Sequence, residues 1–197
     1  EGARVLVVDR ELDRAEETQA LIAERGGKAV ATAADITQEA DCQAIIEACL
    51  KAYGRIDILH NNVGRSKGDR ATDEMDADMW DELMAMNLKG MFMTCKHVLP
   101  VMREQGSGVI INISSTSSIA ARQTVTYKTS KGAVNTLTQH IASENAGYGI
   151  RANAILPGLM DTPMAIERRA SERNVDRSVV RSERDAKVPL SGKMGTT

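Results

Sequence analysis

Tyr127 and Lys131 stand four residues apart in Thr126-Tyr127-Lys128-Thr129-Ser130-Lys131. A short loop separates them from the apolar run Val109-Ile110-Ile111-Asn112-Ile113, which ends in Ser114-Ser115. Residues four apart on an α-helix share a face, with Cβ atoms roughly 5–6 Å apart, so an ammonium can be held beside a phenol. A free phenol gives up its proton near pH ~10. A fixed neighbouring cation favours the phenolate and lowers that value toward the range where protons are traded. A serine at the strand end would hold a carbonyl or hydroxyl in place. The same Tyr-x-x-x-Lys spacing also arises where the tyrosine packs and the lysine is solvated, so its weight depends on its surroundings.

Those surroundings alternate between strand and helix. Within residues 3–9, Ala-Arg-Val-Leu-Val-Val-Asp, the run Val5–Val8 is continuously apolar up to the acid, the mark of a strand covered on both faces. A helix is expected over 11–25 with Gly26-Gly27 as its stop, then a strand from Ala29 to Ala34 before Asp35. Thr37 reads as the N-cap of a helix running to Tyr53 and stopping at Gly54, with Glu39 and Asp41 in its first turn. A third strand, Ile56 to Val63, closes on Gly64. A polar loop, 65–74, leads to a long helical region over 76–104 that breaks near Asn87 and Gly90. Strand Val109–Ser115, helix Thr126–Ala146 and strand Arg151–Leu156 complete a βαβαβαβαβ order. Such an order with short links requires right-handed crossovers and a parallel sheet between two layers of helices.

Composition narrows the classes of function. The 197 residues suffice for one domain with a substantial core. With 25 basic and 27 acidic residues and a net charge of -2, nothing points to nucleic acid or an anionic membrane as partner. No apolar run approaches the ~20 residues of a membrane span, and no signal peptide opens the chain. Cys42, Cys49 and Cys95 form no Cys-x-x-Cys pair, which suits reduced thiols in a cytoplasm. His60, His97 and His140 are scattered, and no cluster has metal-ligand spacing, so no metal is expected. Six of the ten methionines fall within 76–104, where flexible core packing is the simplest role.

Taken together, Asn61-Asn62-Val63-Gly64, Asn87, Asn112-Ile113-Ser114-Ser115, Tyr127 with Lys131, and Pro157-Gly158 resemble the short-chain dehydrogenase/reductase family over essentially the whole chain. The resemblance implies a Rossmann-like, doubly wound α/β fold with helices on both faces. It also implies an NAD(P)-dependent oxidoreductase that interconverts a secondary alcohol and a ketone. In that reading Tyr127 is the acid–base group, Lys131 lowers its pKa and holds ribose, and Asn87 sits at a helix kink and holds a water beside the lysine. The strand motif Asn-Ile-Ser-Ser selects Ser115 as the positioning serine, whereas counting back from Tyr127 by the family's interval selects Ser114. Strand register favours Ser115, which makes the loop 116–126 one residue shorter than usual.

For the cofactor, the resemblance and the strand pattern together point to the ends of the strands. Asp9 closes the first visible strand, where an acid can bond two ribose hydroxyls and repel a 2′-phosphate; this favours NAD, with NADP possible because Arg10 follows. Asp35 and Ile36 match the family's adenine contact. Asn62 and Gly64 line the groove, and Asn61 is mainly structural. Pro157, Gly158, Met160 and Thr162 belong to the segment that wraps the nicotinamide, with Thr162 able to bond a carboxamide or phosphate. The family's glycine-rich turn and first strand are expected before residue 1 and a last strand after residue 197. The chain therefore reads as a single domain, 1–197, incomplete at both ends, with a substrate lid over 160–190. In the family the helices corresponding to 76–104 and 126–146 pack against a second subunit, which implies a homo-oligomer, a dimer or tetramer. A non-catalytic binding or scaffold module, or an inactive fragment, is the rival reading. Retention of both Tyr127 and Lys131 argues against it.

Overall fold

Residues 2–120, 124–188 and 192–196 are described by a computed structural model. They form two compact units, Glu1–Ile155 and Leu156–Thr197. The first is built from β1 (Arg4–Asp9), α1 (Leu12–Glu24), β2 (Lys28–Ala33), α2 (Glu39–Tyr53), β3 (Ile58–Asn61), α3 (Ala77–Met84), α4 (Gly90–Gln105), β4 (Gly108–Ile113), α5 (Val125–Asn145) and β5 (Ile150–Ile155). The second contains β6 (Met160–Asp161), α6 (Pro163–Arg173), α7 (Arg177–Asp185) and β7 (Gly195–Thr196).

Every strand pairing in the first unit is parallel, as the alternation of elements requires. The ladder comes in two parts: β1 pairs with β2, and β3 pairs with β4, which pairs with β5. Among the described residues no strand joins β1 to β3. One core nonetheless spans both parts. Ile45 and Ile46 of α2, Val98, Leu99 and Met102 of α4, Ile110 of β4, Ile141 of α5 and Ile150 of β5 are buried together, and Leu6 and Val8 of β1 pack against them. Tyr53 of α2 donates its hydroxyl to the Val5 carbonyl at 3.0 Å, a second tie between α2 and β1. Met91, Met93 and Met102 are buried core residues, the packing role their composition suggested.

The element ends differ from expectation where a side chain captures backbone groups. Thr37 does not cap α2; Gln38 occupies that position without a side-chain bond. Asp35 has taken Thr37 instead: its Oδ1 accepts from the Thr37 amide at 2.9 Å and from the Thr37 hydroxyl at 2.8 Å. A local Asx turn thus competes successfully with the helix cap. The third strand runs Ile58–Asn61 rather than Ile56 to Val63; at its start the Gln105 side chain binds both the amide of Ile56 at 3.0 Å and its carbonyl at 2.8 Å. The fourth strand ends at Ile113 rather than Ser115, although the Ser114 amide still donates to the Ile155 carbonyl at 2.8 Å. The helix over 126–146 starts one residue earlier and ends one residue earlier.

The helical region 76–104 breaks as expected, and the break has a defined form. Asp76 caps α3, accepting from the Met79 amide at 3.0 Å. A single π-helical turn, Ala85–Lys89, then separates α3 from α4, and Asn87 lies inside it. Such turns carry one more residue than an α-turn and collect at functional sites.

Between the strands runs a buried polar chain. Asn61 of β3 donates to Asn112 of β4 at 2.9 Å, and Asn112 donates to Thr138 of α5 at 2.9 Å. Thr94 of α4 donates to Asn61 at 2.8 Å. Because amides carry donors and acceptors in fixed directions, this chain sets the register between sheet and helices more tightly than apolar packing would.

Candidate active site

Lys131 is 2% exposed, and its Nζ donates to the Ile113 carbonyl at the end of β4 at 2.7 Å. The same Nζ lies 5.7 Å from the centre of the Tyr127 ring. No carboxylate faces this ammonium among the described residues, so burial alone acts on it and pushes its pKa down to about 8. Ser130, one residue earlier and fully buried, donates to the Tyr127 carbonyl at 2.9 Å. Tyr127 itself is half-buried.

The two serines separate clearly. Ser114 is 2% exposed and its hydroxyl donates to the Lys131 carbonyl at 2.9 Å, so its proton is committed to holding α5 against β4. The Ser115 oxygen accepts from the Ser117 amide at 3.1 Å and, among the described residues, its hydroxyl donates to none. Ser118, in the same loop, donates to the Ser115 carbonyl at 2.7 Å and accepts from Asn135 of α5 at 3.0 Å. Residues 121–123 of the loop 116–126 lie outside the described residues.

Asn87 is fully buried and works mainly on backbone. Its Oδ1 accepts from the Arg65 amide at 2.8 Å and its Nδ2 donates to the Arg65 carbonyl at 2.9 Å, with a longer contact of 3.4 Å to the Ser130 hydroxyl. It thereby fastens the turn at Gly64-Arg65 beside the lysine. A Cβ on Gly64 would stand 3.2 Å from Asn87 Oδ1 and 3.2 Å from Lys131 Nζ, so a side chain there would press on both groups. Neither Arg65 nor Ser130 was singled out in the sequence. Asn87 meets Arg65 through its backbone, a contact that leaves no trace in residue type.

Asp9 and Asp35 sit at the ends of β1 and β2. Asp9 Oδ1 accepts from the Glu11 amide at 3.0 Å. The hydrogen bonds from Thr37 hold the Asp35 carboxyl below its ordinary pKa, with the Arg10 guanidinium adding to the effect. Ile36 turns its side chain against Gly90 of α4, where an added Cβ would lie 2.6 Å from the Ile36 Cδ1. Asn62 is exposed on the loop after β3.

In the second unit, Pro157 and Gly158 follow β5, and Met160 begins β6. Thr162 caps α6, its side chain accepting from the Ala165 amide at 3.2 Å, so one lone pair of its hydroxyl is engaged. Asp161, Thr162, Ile166, Arg177 and Arg181 line a cavity of about 560 Å³ within this unit. The region 160–190 lies in this unit, with residues 189 and 190 outside the described residues. No group of three or more potential metal ligands occurs among the described residues. No described helix is long and apolar enough to cross a membrane.

Comparison with known proteins agrees with the geometry. The family model of the short chain dehydrogenases matches residues 1–173. The chain is 36% identical over 192 residues to 2-(R)-hydroxypropyl-CoM dehydrogenase of Xanthobacter autotrophicus, covering 95% of this chain and 74% of that protein. The crystal structure of levodione reductase superposes with a TM-score of 0.92 at 32% identity, over 99% of this chain and 76% of that one. NAD+-bound xylitol dehydrogenase superposes with a TM-score of 0.89 at 28% identity, over 98% of this chain and 77% of that one. With a β4-to-α5 junction that buries a lysine beside a tyrosine, and with matches of this extent, the chain belongs to the short-chain dehydrogenase/reductase family of NAD(P)-dependent oxidoreductases, which interconvert alcohols and ketones.

Proposed function

We propose that Tyr127 exchanges the proton of the alcohol–ketone reaction, that Lys131 holds it in a form able to do so, and that Ser115 positions the reacting oxygen. The observation that carries this reading is the buried, carboxylate-free Lys131 ammonium beside the Tyr127 ring. A cation without a counter-ion favours negative charge on its neighbour, and the charge a phenol develops on giving up its proton is of that kind. Ser115 is preferred over Ser114 because its proton is uncommitted among the described residues, whereas that of Ser114 is spent on the Lys131 carbonyl. Asn87 acts by holding the Gly64-Arg65 turn open beside the lysine. The nicotinamide, when bound, supplies or takes the hydride.

For the cofactor, the residues present fit a dinucleotide. Gly64 leaves beside Lys131 the space that a Cβ would fill, and Asp9 offers a carboxylate at a strand end. Asp35, Ile36 and Asn62 extend the groove in our reading, and Pro157, Gly158, Met160 and Thr162 contribute from the segment after β5. NAD is the expected preference, since Asp9 would repel a 2′-phosphate and Arg10 is turned toward Glu11 at 4.0 Å. The region 160–190 would act as the substrate lid of a single catalytic domain. The substrate is a small alcohol or ketone; the relatives act on hydroxypropyl-CoM, levodione and xylitol, so they share no one skeleton. The three cysteines are free thiols, which supports the cytoplasmic location expected from their spacing.

The second proposal concerns assembly. Phe92, 48% exposed on α4, belongs to a groove of about 290 Å³ shared with Leu99 and Pro100 of α4 and with Leu137 and Ile141 of α5. An exposed phenylalanine at the edge of such a groove supports burial of these two helices against a second copy.

Four measurements test these readings. In the full-length protein, Tyr127→Phe should lower turnover of a panel of secondary alcohols by about 10²- to 10⁴-fold, the usual worth of a positioned acid–base group; full turnover in the variant would remove Tyr127 from the role. Titration of both cofactors should favour NAD, and Asp9→Ala should weaken NAD by about tenfold while sparing NADP, the size of one charged hydrogen bond. Equal or tighter NADP binding by the wild type would show that Asp9 does not decide the choice. Light scattering should give a multiple of the protomer mass that falls on Phe92→Glu; an unchanged mass would place the interface elsewhere. The fourth concerns pH. Lys131 is depressed from 10.5 to about 8 in the fold, so the unfolded chain binds more protons across that window and stability rises with pH within it. Compared with Lys131→Met, the wild type should be at its greatest disadvantage below pH 8, and the gap in melting temperature should close toward pH 10.5. A gap independent of pH would mean that the ammonium is not desolvated.

A further inference from the structure

The helix that carries Tyr127 begins without a cap of its own. Thr124 occupies the N-cap position and makes no side-chain capping bond, and no acidic residue stands in the first turn. A helix start leaves amides without intrahelical partners, and Tyr127 is the third residue of this one, so its own amide is among them. All three of the first amides are met from the loop after β3. The Arg70 carbonyl accepts from the Val125 amide at 3.0 Å. Asp69 Oδ1 accepts from the Thr126 amide at 3.0 Å, and Asp69 Oδ2 accepts from the Tyr127 amide at 2.7 Å. The same loop is fastened at its other end, where Asn87 grips both backbone groups of Arg65.

The two partners of the proposed acid–base pair are therefore held by different parts of the fold. Lys131 is anchored twice at the end of β4, through its carbonyl by Ser114, which follows the strand, and through its Nζ to the Ile113 carbonyl. Tyr127 lies one turn nearer the helix end, and the carboxylate of Asp69 holds the backbone from which its ring extends. A carboxylate suits this place because negative charge is favoured at a helix N-terminus and its two oxygens can take two adjacent amides at once.

We propose that Asp69 is a positioning residue for Tyr127: it fixes the first turn of α5 and thereby the distance from the phenol to the Lys131 ammonium. This rests on the Tyr127 reading above. Loss of Asp69 would let the first turn fray while Lys131 stays fixed to the strand, so the pair would separate without the site unfolding.

Hydrogen exchange and kinetics on the full-length protein test it together. In Asp69→Ala the amides of Thr126 and Tyr127 should exchange about tenfold faster or more, while that of Lys131 stays within about twofold, because opening is confined to the uncapped turn. With NAD and cyclohexanol as the probe alcohol, kcat should fall about 10- to 100-fold and KM for NAD should change by less than about twofold, as expected when a reacting group is misplaced by about an ångström. Asp69→Asn, which keeps an acceptor for one amide, should recover part of the loss in both measurements. Unchanged exchange at Thr126 and Tyr127, or accelerated exchange with unchanged kcat, overturns the proposal. So does a loss that raises KM for NAD and lowers kcat alike, which would mark a merely structural role. Tyr127→Phe run beside these separates the two readings. If Tyr127→Phe is inactive and Asp69→Ala is not, only the Asp69 proposal fails. If Tyr127→Phe stays active, the acid–base assignment fails, while the exchange rates still decide whether Asp69 holds the turn.

Discussion

A single buried cation constrains most of what surrounds it. The Lys131 ammonium has left water and meets only a carbonyl oxygen among the described residues, an arrangement that costs free energy and is kept only because the surroundings hold it in place. Rigid surroundings are what the neighbouring residues supply. Ser114 binds the lysine's own carbonyl, Asn87 clamps the turn at Gly64-Arg65, and Gly64 leaves the space that any side chain would take. The polar chain from Asn61 through Asn112 to Thr138 locks β3, β4 and α5 in one register behind it. A strained or desolvated charge kept at such expense is the usual sign of a group used for chemistry.

The fold was largely legible in the residues because its signals are periodic. Apolar runs at Val5–Val8 and Val109–Ile111 and the glycine stop at Gly54 carry the parallel α/β order, and a break of the long helix near Asn87 and Gly90 was expected. What escaped was decided by single side chains reaching across the chain. Gln105 holds the Ile56 backbone ahead of β3 from 49 residues away, and Asp35 removed Thr37 from the cap of α2. Such captures depend on which donor comes closest, and no local pattern encodes them.

The site divides in the same way. Helical spacing put Tyr127 and Lys131 on one face, since four residues make a face, and the motifs around them gave that spacing its weight. The choice between Ser114 and Ser115 could not be made that way, because it turns on which hydroxyl has already spent its proton, a matter of tertiary contact. Asp69 left no trace at all, lying 57 and 58 residues from the amides it binds in a loop of ordinary polar composition. Backbone recognition hides its partners, because every residue type carries the same amide.

The π turn at Ala85–Lys89 also has a consequence for how the long helix could change. Each residue of an α-helix advances the chain by about 100° around the axis, so one residue more or fewer turns everything beyond it by that angle. The turn therefore sets the angular phase between α3 and α4, and with it the faces that carry Met91, Met93, Val98 and Met102 into the core. The π turn spreads its rotation over one residue more than an α-turn does, so it takes up that residue and keeps α3 and α4 in phase, whereas an insertion or deletion in the α-helical parts on either side would swing those side chains toward solvent. Substitutions are tolerated one at a time along such a helix, but its length on either side of the π turn is not free to vary.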